Sequence, residues 1–217
     1  MEKVSSTQEV ARSMIDERRA CNNCVVVAAA QSNGRGRYNR KWVSHHGNLY
    51  VSFIYKTDEP DGKLSYSVAV AVANTLTSLG IAPQIKWPND ILVDGKKISG
   101  ILIEYYKGFA IIGIGINIET CPTVPDYKTT KISKYVDISI DVILSRLLKN
   151  MKKMKNMLFS DVRDCWMNFA MGINKRVKYK GKIYELVGIN DRGALILRDG
   201  SKYILIYGDE VGVVNKP

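Results

Sequence analysis

The 217-residue sequence contains no apolar run long enough to span a bilayer. Its start, Met-Glu-Lys-Val-Ser-Ser-Thr, lacks the apolar core of a secretion signal. A cytoplasmic chain with no membrane partner is the expectation. Cysteine is scarce, with four residues: Cys21, Cys24, Cys121 and Cys165. Cys21-x-x-Cys24 has the spacing of half a zinc site or of a redox pair, but no second pair follows. The two histidines, His45 and His46, form a doublet without ligand spacing. No metal site is expected, and the thiols should be reduced and partly buried. Acid is missing where base is concentrated: no Asp or Glu occurs from Arg18 to Thr57.

That acid-free stretch holds Gln31-Ser-Asn-Gly-Arg-Gly-Arg-Tyr-Asn-Arg-Lys-Trp42, with Gly34 and Gly36 set among Arg35, Arg37, Arg40 and Lys41. Glycines let a backbone approach an anion closely, and arginines supply forked donors. With nothing in the neighbouring sequence to neutralise it, the loop can fold over an anion or remain a solvated basic loop. The net charge of +11 fits a phosphate-bearing ligand, an acidic protein or nucleic acid. Much of the excess lies late, between Arg146 and Lys182, partly on an expected helix where a solvated face explains it.

The length suits one sizeable domain plus a small one. Ser6-Thr-Gln-Glu9 has capping-box spacing and predicts a helix to about Arg19. Residues 24–30 read as a buried strand entering the basic loop, and 49–55 as the strand leaving it. Residues 64–79 read as an alanine-rich core helix ended by Gly80. Asp94-Gly95 marks a hairpin between 91–93 and 98–103. Lys107-Gly108 is a second turn, 109–118 a third strand, and 119–135 a loop. Ile140, Ile143, Leu144, Leu147, Leu148, Met151, Met154 and Leu158 form one apolar helical stripe, which reads as core. A second short helix should include Trp166 and Phe169. After Gly172, four short strands with glycine-containing turns predict a small β-barrel. The boundary is placed there, giving domains 1–172 and 173–217.

Three further segments carry candidate chemistry. In Gly113-Ile-Gly-Ile-Asn117, residues Gly113, Gly115 and Asn117 share one strand face. The bare backbone could receive a flat ligand, with Asn117 bonding its edge, or another strand or helix could pack closely on it. No third glycine or following helix makes this a dinucleotide fingerprint. In Lys97-Ile-Ser-Gly-Ile-Leu-Ile-Glu104, Lys97 sits beside a turn in a mostly apolar strand. It can reach solvent or be aimed at a carboxylate or phosphate. In Lys86-Trp-Pro-Asn-Asp90, Pro88 biases Trp87 toward an extended conformation and a tight turn that presents Asn89 and Asp90.

Taken in order and at their spacing, these segments resemble the biotin protein ligases. The match runs from Ser6-Thr7 through Gln31, the Gly34-Arg-Gly-Arg37 loop with Arg40 and Trp42, Lys-Trp-Pro-Asn-Asp, Lys-Ile-Ser-Gly-Ile-Leu-Ile-Glu and Gly-Ile-Gly-Ile-Asn. Residues 175–214 also look like the family's C-terminal domain. The resemblance implies an α+β fold: a mixed-sheet catalytic domain related to class II aminoacyl-tRNA synthetases, followed by an SH3-like barrel. Many members carry an N-terminal helix-turn-helix. This chain begins almost at the Ser-Thr motif, so a short form that binds no DNA operator is expected.

The implied activity is ATP-dependent biotinylation of a lysine on a biotin carboxyl carrier protein of a biotin-dependent carboxylase, through biotinyl-5′-AMP and with Mg²⁺. Carried over by position, the biotin side comprises Ser6, Thr7, Gln8, Gln31, Gly34, Arg35, Gly36, Arg37, Lys97 and Gly115. The nucleotide side comprises Arg37, Arg40, Trp42, Asn89, Lys97 and Asn117. Arg37 and Lys97 fall at the reacting junction, as the catalytic pair. Asn39 stands where the family often has glycine; asparagine tolerates a left-handed backbone next best. Gly208-Asp-Glu210 fits the family, but Val214 replaces a basic residue of some relatives. Rival readings are a lipoate or octanoyl transferase, a biotin-binding module without catalysis, and a basic nucleic-acid-binding protein. The last is weakened because aromatics are not interleaved with the cations. Homodimerisation through a sheet edge is left open.

Overall fold

The computed structural model describes residues 1–125, 127–208 and 212–213. Asp209, Glu210 and Val214, on which part of the C-terminal match rests, lie outside the described residues. In chain order the elements are β1 (Lys3–Val4), α1 (Thr7–Asp16), β2 (Cys24–Ala28), β3 (Ala30–Gln31), β4 (Leu49–Lys56), α2 (Leu64–Thr77), β5 (Gln84–Lys86), β6 (Asp90–Val93), β7 (Lys96–Tyr106) and β8 (Phe109–Ile116). There follow α3 (Ile140–Lys155), α4 (Phe159–Phe169), β9 (Arg176–Tyr179), β10 (Lys182–Ile189), β11 (Leu195–Asp199), β12 (Lys202–Ile206) and β13 (Gly212–Val213). The mixed α+β composition is as expected. The chain divides into two units, Met1–Asp61 with Leu92–Arg146, and Gly62–Ile91 with Leu147–Pro217.

The first unit is built on antiparallel neighbours in the order β2-β4-β8-β7. The near-continuous Val, Ile and aromatic content of β4 and β8 is what strands buried on both faces require. Leu49, Val51, Ile54, Ile111 and Ile112 are fully buried, each worth about 1.5–3 kcal/mol relative to exposure. Helix α1 lays Ala11 and Ile15 on Val26, Ile54 and Ile111. Ser6 caps it, its side chain accepting from Gln8 N. Glu9 bonds the Ser5 hydroxyl instead of completing the expected capping box. The helix ends at Asp16, short of Arg19, because Arg18 turns left-handed at φ 54°.

The expected strand over 24–30 breaks at Ala29, and β3 pairs in parallel with β1. That pairing carries the chain sideways into the basic loop. Asp94-Gly95 and Lys107-Gly108 both take positive φ at each residue, as two-residue hairpin turns demand. Cys21 and Cys24 form a disulfide, with Cα atoms 5.4 Å apart. This corrects the expectation of reduced thiols at these two positions. The turn through Asn23, at φ 70°, brings them together.

In the second unit, α2 is buried nearly all round from Val68 to Ala73, which accounts for its unbroken small apolar sequence. Tyr66, 1% exposed, has ring contacts to Trp87, Phe159 and Trp166 at centroid distances of 5.4, 5.8 and 5.4 Å. Its hydroxyl donates to Gly193 O at 2.8 Å, and burial pushes the phenol far above its ordinary pKa. The C-terminal residues make a small antiparallel sheet in the order β12-β11-β10-β9-β13.

Candidate functional site

In the first unit, the polar first turn of α1 stands over the glycine-bearing strands. Register sets Tyr50 and Gly100 opposite Gly115, and Ser52 and Leu102 opposite Gly113. Ser6, Thr7 and Gln8 are 1, 4 and 3% exposed. Thr7 N and Oγ1 both approach Gln31 Oε1, at 2.8 and 3.3 Å. Thr7 Oγ1 also accepts from Ser52 Oγ at 2.8 Å. Gln31 Nε2 donates to Ser44 Oγ at 2.8 Å, and Gln8 Nε2 to Leu102 O at 3.0 Å. The result is a compact set of hydroxyls and amides at a helix N-terminus. Tyr50 beside them donates to His45 O at 2.8 Å; burial pushes its phenol up, so it remains protonated.

The glycine face is covered by side chains. A Cβ on Gly113 would lie 2.7 Å from Gln8 Nε2, and one on Gly115 2.5 Å from Trp42 Cε2 and Nε1. A Cβ on Gly100 would lie 2.8 Å from Trp42 Cζ3. Close packing thus occupies the strip: Gln8 of helix α1 covers Gly113, as the close-packing alternative expected, and Trp42 of the loop covers Gly100 and Gly115. Trp42 Nε1 and Gln8 Oε1 are buried without hydrogen-bond partners. Buried polar atoms in this state are uncommon and call for an explanation, such as a ligand.

The basic loop is folded. Arg35 bridges Lys41, Gly36 N donates to Arg40 O at 2.8 Å, and Trp42 N to Gly34 O at 2.8 Å. Gly34 is buried, and a Cβ there would meet Ser44 Oγ at 2.5 Å, so a side chain is excluded. Tyr38 and Asn39 both take left-handed angles, φ 54° and 57°, which agrees with asparagine replacing glycine. Tyr38 is 62% exposed. The guanidiniums of Arg37 and Arg40 lie 5.0 and 5.7 Å from its ring centroid. The reading that nothing nearby neutralises the loop needs correction. In space, Glu104 Oε1 meets Arg35 Nη2 at 2.9 Å, although it stands 69 residues away in sequence.

Lys97 Nζ lies 5.3 Å from the Trp42 ring and 5.0 Å from that of Tyr127. Lysine, loop tryptophan and glycine strip therefore converge. Asn117 lies just past the end of β8 and is 2% exposed. Its Nδ2 donates to Thr130 O at 3.0 Å, and its Oδ1 is buried without a partner. Asn89 belongs to the second unit and follows the cis Trp87–Pro88 peptide. The described residues hold no group of three or more His, Cys, Asp or Glu side chains arranged for a metal.

Sequence reasoning assigned no role to Glu104, Arg12, Tyr38, Ser44 or Ser52, although Glu104 and Tyr38 lie within the candidate segments. Glu104 was findable, since it lies four residues after Gly100 on one strand and so on the same face. Arg12 follows Gln8 by one helical turn. Nothing local marked Tyr38.

Comparison with known proteins agrees with this geometry. The Biotin/lipoate A/B protein ligase family matches residues 1–119. The bifunctional ligase/repressor BirA of Bacillus subtilis is 34% identical over 96% of this chain and 71% of its own length. A biotin–[acetyl-CoA-carboxylase] ligase of Mycobacterium tuberculosis is 28% identical over 86% of this chain and 77% of its own. The biotin protein ligase of Aquifex aeolicus, solved with biotin and ATP, superposes with a TM-score of 0.85 at 27% identity, covering 100% of this chain and 97% of that one. The family match spans the helix cap, the arginine loop, Lys97 and the glycine strand, and the chain belongs to the biotin/lipoate A/B protein ligase family.

Proposed function

We propose that the chain is a biotin–[acetyl-CoA-carboxylase] ligase. It condenses biotin with ATP to biotinyl-5′-AMP and then transfers the biotinyl group to a lysine of a biotin carboxyl carrier protein. The observation that carries this is the meeting of Trp42 and Lys97 at Gly100, with Trp42 also on Gly115, in the same unit as the Thr7–Gln31–Ser52 set, whose Ser52 is paired with Gly113. The ligands of the Aquifex aeolicus and Leishmania major structures, biotin with ATP and biotinyl-5-AMP, support it. A lipoate-type acyl substrate is disfavoured, because those relatives are named for biotin.

In the first step a biotin carboxylate oxygen attacks the α-phosphorus, and the bond to pyrophosphate breaks. In the second a lysine amine attacks the acyl carbon, AMP leaves, and the amine loses a proton. Neither step needs a protein nucleophile. Two anions must approach, so the protein's task is neutralisation and alignment. In this reading Ser6, Thr7, Gln8 and Gln31 form the end of the site that meets the biotin ring, whose ureido group is a compact donor and acceptor set. Gly34, Arg35 and Gly36 close over the ligand through backbone. Arg37 and Lys97 meet the carboxylate–phosphate junction, and Arg40 the triphosphate. Trp42 and Asn117 serve the adenosine side. For a ligand to lie against Gly115, the Trp42 indole has to leave its present place. Mg²⁺ would enter with the triphosphate as part of the substrate, and no step is assigned to it.

We also read 1–172 as the catalytic domain, of class II synthetase kinship, and 173–217 as an SH3-like barrel. The separate five-stranded sheet β12-β11-β10-β9-β13 supports the C-terminal part of this reading; the compact units themselves divide the chain differently, with 62–91 and 147–217 together. A cytoplasmic location is part of this reading. The test is transfer: with biotin, ATP and Mg²⁺ the chain should label one lysine of a purified biotin carboxyl carrier domain, in a streptavidin blot. Absence of label with a carrier that another ligase does modify would reject the proposal.

A further inference from the structure

Glu104 on β7 ties together the two polar walls of the site. Its Oε1 accepts from Arg35 Nη2 at 2.9 Å and from Arg12 Nη2 at 3.2 Å. Arg12 stands on α1, one turn beyond Gln8. Arg35 stands between Gly34 and Gly36 in the loop. The Glu104 side chain is 17% exposed and each arginine side chain 31%. A pair that is partly withdrawn from water is screened less than a surface pair, and exposed pairs are worth little. The other oxygen, Oε2, is buried without a hydrogen-bond partner. Arg12 also rests on Tyr106, 4.7 Å from the ring centroid, which leaves it little freedom to follow Arg35 elsewhere.

Two guanidiniums converge on one oxygen. Without the carboxylate they would repel each other, and Arg35, on a loop, would be the one to leave. We propose that Glu104 is a positioning residue that latches the glycine-arginine loop against α1. This rests on the ligase reading and deepens it. Arg35 is committed to Glu104, so the loop offers the ligand its Gly34–Gly36 backbone there, while Arg37 and Arg40 supply the charge directed at anions. The latch acts through Arg35 and does not touch the reacting atoms.

The test uses the full chain and four variants: Glu104→Gln, Glu104→Asp, Arg35→Gln and the Glu104→Gln/Arg35→Gln double. Tryptic cleavage after Arg37 and Arg40 is followed without ligand, and biotin KM and kcat by ATP–pyrophosphate exchange. Glu104→Gln should cleave about tenfold faster and raise biotin KM about tenfold, with a much smaller change in kcat, as loss of a coupled, partly buried pair implies. Arg35→Gln should match it, the double should be no worse than either single, and Glu104→Asp should recover part of the loss. A general loss of folding would lower the active fraction and kcat while leaving KM unchanged. Wild-type cleavage and KM in Glu104→Gln, or effects that add fully in the double, would overturn the latch. If Glu104→Gln fails to fold, Arg35→Gln decides on the same readouts. If the wild-type chain shows no biotin-dependent exchange, the ligase reading fails, and the cleavage rates alone decide the latch.

Discussion

Gly115→Ala separates the two uses a bare strand face can have. The new methyl would sit 2.5 Å from Cε2 and Nε1 of Trp42 against an ordinary contact of 3.4 Å, a shortfall of about 0.9 Å. Gly115 is hemmed in on both sides by its antiparallel partners Tyr50 and Gly100, so the indole has to yield. Overpacking of this size costs about 1–3 kcal/mol. In the ligase reading the indole moves off Gly115 when ligand enters, so the methyl then projects into the ligand's own space. Biotin KM should therefore rise about tenfold to a hundredfold, beyond any fall in melting temperature. The assay is biotin-dependent ATP–pyrophosphate exchange, with thermal unfolding measured in parallel. A lowered melting temperature with wild-type biotin KM would refute the reasoning, because it would show that the glycine serves Trp42 packing alone.

Further outcomes follow from the same geometry. Lys97→Met should lower adenylate formation by about a hundredfold to a thousandfold, as expected for loss of a charge aimed at a developing anion; near-wild-type exchange would remove Lys97 from the chemistry. Biotin and ATP together should slow tryptic cleavage after Arg37 and Arg40, and equal rates with and without ligand would count against loop closure. Trp87 and Trp166 are buried in the second unit at 7 and 2% exposure, so the ligand-induced change in tryptophan fluorescence should vanish in Trp42→Phe; a change that persists would place the movement elsewhere. Ser6→Ala should cost about 1 kcal/mol through the lost helix cap, or about 2–4 °C in melting temperature for a chain of this size, and an unchanged melt would contradict the capping role.

Much of the fold was legible because its signals are local. The alternation and apolar content of β4, β7 and β8, the Asp94-Gly95 and Lys107-Gly108 turns and the Ser6 cap each act within a few residues. Boundaries moved where single backbone angles intervened, as at Arg18. Of the segments singled out in sequence, the structure brings Gln31 to Gly34 and Thr7, and Lys97 and Trp42 to Gly100. What stayed hidden depends on distance in sequence. The neutralising partner of Arg35 is contributed by β7, and the glycine strip is filled by Trp42 of the loop and Gln8 of α1. The Cys21–Cys24 disulfide was missed because the compartment argument outweighed the close approach that a left-handed Asn23 permits. Tyr38 was missed because an exposed loop aromatic carries no pattern, although it holds two of the loop's arginines.

The central claim is that one cationic loop and one strand lysine allow two mutually repelling anions to react. Its most direct test is incubation of the purified chain with biotin, ATP and Mg²⁺, then desalting and mass spectrometry of the bound small molecules. The account predicts a co-purifying biotinyl-5′-AMP that appears only when both substrates are present and disappears in Lys97→Met. Recovery of unreacted biotin and ATP alone from the wild-type chain would contradict it.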